Sequence, residues 1–275
     1  MSEGLAAIER TRKKASSIMA AVVANIAGQS ESAVRDAMST AVKSDPNMFA
    51  AGWYDPPPGG FAVLFGETPV DRLKYDTLRD PKFFPRDDIY FTDETVAQLH
   101  LCPIDRESGL FGDFGGTIYR GHDSKIREHV KDVRDLIIEI AQHASVGMTF
   151  RDLFAYAQTR FAEKQKVIAW MSTVHDVMKV NLGHTVPGSY KERARFSSLE
   201  EVKEFIQKNR VFINEEQDFM IPTTCAFTVE ARLTDPSLSL PNVYFHVIVR
   251  FSEGEKTVLT NFDDVFRAAE MQYML

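Results

Sequence analysis

Five acidic or histidine side chains, each set in an apolar or glycine-rich stretch, constrain this chain more than any other feature. They are Asp93 in YFTDETV, Asp113 in LFGDFGGT, His184 in VNLGHTV, Glu230 in FTVEARL and His246 in YFHVIV. The flanking residues read as β-strands, so each of the five falls on a strand of its own. Carboxylates and imidazoles seldom enter a core unless something pairs with them. A divalent cation would pair with all five at once. Three carboxylates and two imidazoles suit Fe, Mn, Co or Zn, one ion or two, better than Ca, which takes oxygen alone. Singly, each residue has a plainer reading. His184 would be a core histidine bonded to a carbonyl, Glu230 and His246 would sit on a polar strand face, and Asp93 at a solvated strand end. Their co-occurrence favours the ligand reading.

The net charge is −7, with no basic run, which argues against nucleic acid and acidic membrane surfaces as partners. No apolar stretch approaches the roughly 18–20 residues that span a bilayer. The first residues lack the apolar core of a signal peptide, and the expected location is the cytoplasm. Cys102 and Cys225 are too few for a disulfide framework and read as reduced, partly buried thiols.

Residues 3–27 read as a helix with Ile8, Ile18, Val22, Val23 and Ile26 on its apolar stripe and Arg10, Arg12, Lys13 and Lys14 in a polar band. Gly28 stops it and Ser30 caps a second helix. A second pair follows: 124–144, striped by Ile126, Val130, Val133, Ile137 and Ile140, and then 150–164, with Gly147 as the stop and Thr149 with Asp152 as a capping box. Laid on one another, the pairs bring Ile18 onto Ile137 and Ser30 onto Thr149. Each pair adjoins strand-rich sequence, which suggests two similar halves about a pseudo-two-fold axis. Asp87 to Leu101 and LFGDFGGTIYRG read as strands, 199–208 as a helix behind a Ser198/Glu201 box, and 219–260 as three strands. His100, His122, His129 and His143 read as surface or helix residues. Nothing divides the chain, so residues 1–275 are expected to form a single domain.

IYFTDETV, GDFGGTIYRG, NLGHTVPG, FTVEARLTDP and the tail FHVIVRFSEGEKTVLTNF, in this order, resemble the ligand strands of the pita-bread metallopeptidases, the superfamily of methionine aminopeptidase, prolidase, aminopeptidase P and creatinase. The resemblance covers roughly residues 5–265. It implies an α+β fold in which two αβ halves face each other around a curved antiparallel sheet, without the extra N-terminal domain of prolidase-like members. It also implies a metal site of Asp, Asp, His, Glu and Glu in chain order, carried here by Asp93, Asp113, His184, Glu230 and His246. A homodimer is common in that family, although no residue pattern here specifies one.

The departures from that pattern bear on function. His246 stands where the family has a Glu that bridges two metals, which points to one ion or two held unequally. Tyr190 stands where a second His usually lies beside the substrate, and a Tyr is a poor base at neutral pH. Nineteen residues separate Asp93 from Asp113, more than the family usually leaves, so Asp105 is an alternative first ligand. The leading expectation is a metal-dependent hydrolase of a small amide- or peptide-like substrate. In it, metal-activated water attacks a carbonyl, Glu230 shuttles the proton, and Tyr190 or His175 bonds to the tetrahedral intermediate. The second is a non-haem iron oxygenase, oxidase or lyase on the same fold. The third is a metal-free C–N hydrolase or a binding protein.

Overall fold

The first helix pair, α1 (Glu3–Val23) and α2 (Glu31–Lys43), is joined at Gly28 and Ser30 as the sequence predicts. The computed structural model describes residues 3–66, 72–169, 180–190 and 196–275. Gly28 takes φ +70°, and the Ser30 hydroxyl accepts the Ala33 N–H, one of the donors a helix start leaves unpaired. The second pair, α3 (Ser124–His143) and α4 (Phe150–Glu163), repeats the device: Gly147 lies at φ +85° and Thr149 accepts the Asp152 N–H. Ser198 caps α5 (Leu199–Asn209) through the Glu201 N–H, and a short α6 (Asp263–Ala268) follows the last strand.

Each helix pair feeds into strands. β1 (Phe61–Gly66), β2 (Val96–Leu101) and β3 (Phe114–Ile118) follow the first. β4 (Val167–Ile168), β5 (Cys225–Thr234), β6 (Val243–Ser252) and β7 (Glu255–Leu259) follow the second. All pairings are antiparallel, in the order β1-β2-β3-β6-β5-β4, with β7 on β6. The two halves therefore meet at β3 and β6, and the sheet curls into a half-barrel.

The helices cover one face of this sheet. α3 packs on β5 and β6, α2 on β1, and α1 on β3 and α6. The stripe Ile126, Val130, Val133, Ile137 and Ile140 is buried as its spacing predicts, and each such side chain contributes about 1.5–3 kcal/mol. Phe245 of β6 packs against Phe262 and Phe266, at 5.4 and 6.0 Å between ring centroids, so its neighbour His246 points to the other face. That face holds the cavity described below.

Three sequence expectations shift. α1 ends at Val23, before residue 27, and the strand expected over 87–101 begins only at Val96, with Asp93 in the turn before it. Arg12 is not in a polar band. It is fully buried, on the same stripe as Leu5, Ile8, Ala15 and Met19. Both cysteines are buried free thiols, as expected. Among the described residues no helix is long and apolar enough to cross a membrane.

Candidate metal centre

Strand register places three donors, Glu230, His246 and His100, in one row across the sheet. Glu230 of β5 lies directly opposite His246 of β6. Gly116 pairs Phe245, which sets Gly115 of β3 beside His246, and Gly115 also pairs His100 of β2. Gly115 has no side chain to put between the two imidazoles, whose ring centroids are 6.0 Å apart. A Cβ there would lie 2.3 Å from the Tyr244 hydroxyl, so a larger residue would require that ring to move. Asp113 precedes Gly115 by two residues and shares its face.

His184 reaches the row from outside it. The segment 182–185 is clamped between two others: His184 bridges Phe212, and Thr185 bridges Phe227. Glu230 N–H donates to Leu182 O at 2.6 Å and Thr228 N–H to His184 O at 2.8 Å. Gly183 takes φ +134°, and a Cβ there would lie 2.5 Å from Thr228 O. Close backbone approach is thus the reason for the Gly-His pair.

The five side chains converge. His246 Nε2 is 3.9 Å from Asp113 Oδ2 and 3.7 Å from Glu230 Oε2, and His184 Nε2 is 3.6 Å from Glu230 Oε1. His100, Asp113 and His246 each offer an atom within 4.8 Å of the others. These gaps are too long for hydrogen bonds. They match the roughly 3–4 Å between two donors that each sit about 2.0–2.2 Å from a shared ion. His246 Nε2 is buried without a hydrogen-bond partner. Three imidazoles with two carboxylates are the donors that Fe, Mn, Co or Zn takes, so the residues fit such an ion.

Neighbouring groups orient the set. Trp53 Nε1–H donates to both Asp113 oxygens, at 2.9 and 3.0 Å. Thr228 Oγ1–H donates to Glu230 Oε1 at 3.1 Å. His184 Nδ1 lies 2.9 Å from Thr185 O, which fixes the proton on Nδ1 and turns the Nε2 lone pair toward Glu230. Behind the row, Arg12 donates to Asp113 O, to His246 O at 2.6 Å and to Thr260 O at 2.7 Å. Its guanidinium lies 4.3 Å from the centroid of Phe114 and 3.4 Å from His246 Nδ1.

Burial drives every donor toward its neutral form. It pushes Glu230 up to about 7, against the Thr228 hydrogen bond and the Arg210 and Arg12 charges. It raises Asp113 well above the usual carboxylate range, against the Trp53 hydrogen bond. It pulls His184 down to about 3 and His100 to about 4, helped by Arg210 and Arg12 respectively, and carries His246 well below its usual value. Neutral imidazoles are ready ligands, whereas the carboxyls must give up protons when an ion binds. Affinity should therefore weaken as pH falls through about 7, where Glu230 takes up its proton. Calorimetric titration of Zn²⁺ in buffers of different ionisation heat should read about one to two protons released per ion at pH 6 and fewer at pH 8. Zero release at pH 6 would remove the carboxyls from the ligand set.

Four of the predicted residues, Asp113, His184, Glu230 and His246, come together, and Asp93 does not. Its side chain is 66 % exposed and pairs with Arg120 at 3.3 Å. The strand that was to carry it starts three residues later, because 91–95 closes as a turn held by the Thr92 and Thr95 hydroxyls. Asp105 is also outside the centre, accepting the Ser108 N–H and hydroxyl in a hairpin turn. The first donor in chain order is instead His100, a position whose sequence context suggests a surface residue. The alternation in VAQLHL and its shorter interval to Asp113 were the signals for it. His129, read the same way, is a core histidine 3.0 Å from Pro241 O. Tyr190 does not face the cavity: its hydroxyl donates to Asn209 O at 3.0 Å and meets Thr185 Oγ1 at 3.1 Å. His175 lies outside the described residues. Tyr54, Trp53 and Arg210 also line the cavity, and the sequence alone does not single out Trp53 or Arg210. His100→Ala is expected to lower bound metal at least about 10-fold and Asp93→Ala to leave it unchanged. Elemental analysis of the two purified variants checks this.

The cavity measures about 110 Å³, and His100, Asp113, His184 and Glu230 line it. No protein-family model matches the sequence, and no curated protein matches it significantly. Solved structures do. Methionine aminopeptidase from Thermotoga maritima is similar over 94% of this chain and 97% of its own, with TM-score 0.66 at 12% identity. Dipeptidase PepE from Mycobacterium ulcerans matches 94% of this chain and 58% of its own, with TM-score 0.64 at 13% identity. The prolidase from Thermococcus sibiricus matches 94% and 59%, with TM-score 0.64 at 12% identity. The chain thus spans about three fifths of the length of the dipeptidase and prolidase chains. These likenesses show the fold: two helix pairs around a curled antiparallel sheet, the pita-bread arrangement.

Proposed function

We propose that this protein is a metal-dependent hydrolase of a small amide- or peptide-like substrate. The observation that carries the reading is the convergence of Asp113, His184, Glu230, His246 and His100 beside a concave cavity, in a fold shared with peptidases. With two carboxylates among the described residues for charge balance, the centre suits one ion of the Fe, Mn, Co or Zn group. Such an ion activates a water and polarises a carbonyl. The chain's own residues do the rest. Trp53 holds the Asp113 carboxylate in one orientation, and Thr185 O holds the His184 ring in one tautomer. Glu230 takes a proton from the attacking water and returns it to the leaving amine. The apolar wall keeps bulk water from the reacting bond.

A second reading rests on one observation. His100, Asp113 and His246 cluster as two imidazoles and one carboxylate, the donor mix of non-haem iron sites that handle oxygen. The test loads metal-free protein with Fe²⁺ under argon, or with Mn²⁺, Co²⁺ or Zn²⁺, and supplies a panel of N-acyl amides and dipeptides. Hydrolysis with Mn, Co or Zn, indifferent to oxygen, upholds the first reading. Substrate-dependent oxygen uptake with Fe alone replaces it with the second. No metal bound after reconstitution sinks both and leaves acid–base chemistry or binding.

A further inference from the structure

Tyr244 carries a hydroxyl that reaches the row of donors without bonding to any of them. It precedes His246 by two residues on β6, so both side chains face the cavity, and Tyr244 lines it. Its ring leans along the strand: a Cβ on Gly115 would lie 2.3 Å from the hydroxyl oxygen. Gly115 pairs His100 on one side and stands beside His246 on the other. The phenol oxygen therefore sits over the bare glycine between the two imidazoles, and the ring centroid is 6.3 Å from that of His100. Among the described residues this hydroxyl has no hydrogen-bond partner; the bonds between Tyr244 and Thr117 Oγ1 use the backbone N–H and C=O of Tyr244.

The other tyrosines nearby are placed differently. Tyr75 donates its hydroxyl to Gln98 Oε1 at 3.2 Å, and the Tyr54 ring lies against the Arg79 guanidinium, 5.0 Å from its centroid. Tyr190 is turned away onto Asn209 O. A phenol holds its proton up to about pH 10, so at neutral pH Tyr244 is a donor. Buried donors are paired as a rule, and this one, on a buried side chain, opens on the cavity instead. Its acceptor is then an oxygen of the molecule that occupies the cavity.

We propose that Tyr244 is a catalytic residue of this centre, and that its O–H donates to the substrate carbonyl oxygen as that oxygen becomes negative. The inference rests on the hydrolase reading and adds a group to it. When water adds to the carbonyl carbon, the C=O π pair moves onto the oxygen, and the Tyr244 hydrogen bond strengthens with the charge. Tyr244 keeps its proton throughout, and the electron pair returns as the C–N bond breaks. The role that sequence position suggests for Tyr190 thus falls to a tyrosine on β6. Gly115 belongs to the same device, because a side chain there would compete with the phenol for its space.

The test uses the full-length protein, metal-free and Zn-loaded, with dimethylphosphinate, a tetrahedral anion, as the calorimetric probe. Tyr244→Phe removes the hydroxyl alone and should weaken the probe about 10–100-fold in each form, while bound zinc and melting temperature stay at wild-type values. Gly115→Ala, which puts a methyl group where the hydroxyl lies, should weaken it similarly in the metal-free form. In the Zn-loaded protein Tyr244→Phe should lose about 10²–10³-fold in kcat on the amide panel, with KM little changed. A ring that merely fills space would leave the Phe variant with wild-type affinity, and that result overturns the proposal, as does a wild type that does not bind the phosphinate. If the Phe variant fails to fold, the near-ultraviolet tyrosine difference spectrum on probe binding decides. A band in the wild type that Gly115→Ala lacks upholds the contact, and no band in the wild type overturns it. Failure to bind zinc removes the hydrolase, and the metal-free titrations then decide the role of Tyr244 by themselves. Zinc bound and amides hydrolysed at the wild-type rate by Tyr244→Phe overturns that role and leaves the hydrolase standing.

Discussion

Asp113→Asn is expected to strip the protein of most of its metal while leaving it folded. Asp113 is buried and lies one residue before β3, one of the two strands at which the halves meet. Its carboxylate is pinned by the Trp53 indole. Losing a partner that merely orients a ligand lowers metal affinity about 10–100-fold, so losing the ligand's charge should cost at least as much. The asparagine variant is preferable to alanine. Asn keeps an oxygen for the Trp53 N–H, whereas Ala strands that donor at a cost of about 1–3 kcal/mol and mixes destabilisation with ligand loss. His246→Ala should behave alike, because its Nε2 faces both carboxylates. The readout is metal per protein by elemental analysis beside a thermal melt. Full metal content in Asp113→Asn would show that the ion, if any, sits elsewhere.

Arg12→Met should be the most destabilising single change on α1. The guanidinium holds three backbone carbonyls, from Asp113, His246 and Thr260, and stacks on Phe114. Burial pulls its pKa down to about 9, so it remains cationic at neutral pH. Methionine fills similar space but leaves all three carbonyls without a donor. Breaking a buried charged network from one side costs roughly 3–5 kcal/mol. Urea denaturation with the wild type alongside measures it, and a loss below about 1 kcal/mol would show that water or a shifted backbone takes over the carbonyls. Because two of these carbonyls belong to the donors Asp113 and His246, the same variant should also loosen the centre.

These two residues show how differently the sequence can be read. Asp113 was legible because a carboxylate between phenylalanines and glycines has no plain solvated reading. Arg12 was not, since it sits among Arg10, Lys13 and Lys14, and charge alone assigns all four to solvent. Its spacing from Ile8 and Ala15 placed it on the buried stripe, but only knowing that backbone carbonyls wait inside makes that burial tolerable. The exchange of Asp93 for His100 has a similar cause. IYFTDETV has the composition of a strand and so attracted the first ligand. The chain there is instead a turn that ends on Thr95, and β2 begins at Val96. A strand's residues alternate faces, so moving its start changes which side chain meets Asp113.

By itself the sequence determined what short-range physics decides: where helices stop and start at Gly28–Ser30 and Gly147–Thr149, which face of α3 is apolar, and that Asp113, His184, Glu230 and His246 need company. Caps, periodicity and the cost of burying a charge act over a few residues and can be read in order along the chain. Only the tertiary structure decided that His100 completes the set, that Arg12 braces it from behind, and that Arg210 is left facing the cavity between Trp53 and Phe212. Those outcomes depend on strand register and on groups far apart in sequence. A one-residue shift in pairing would turn each of those strand side chains to the opposite face.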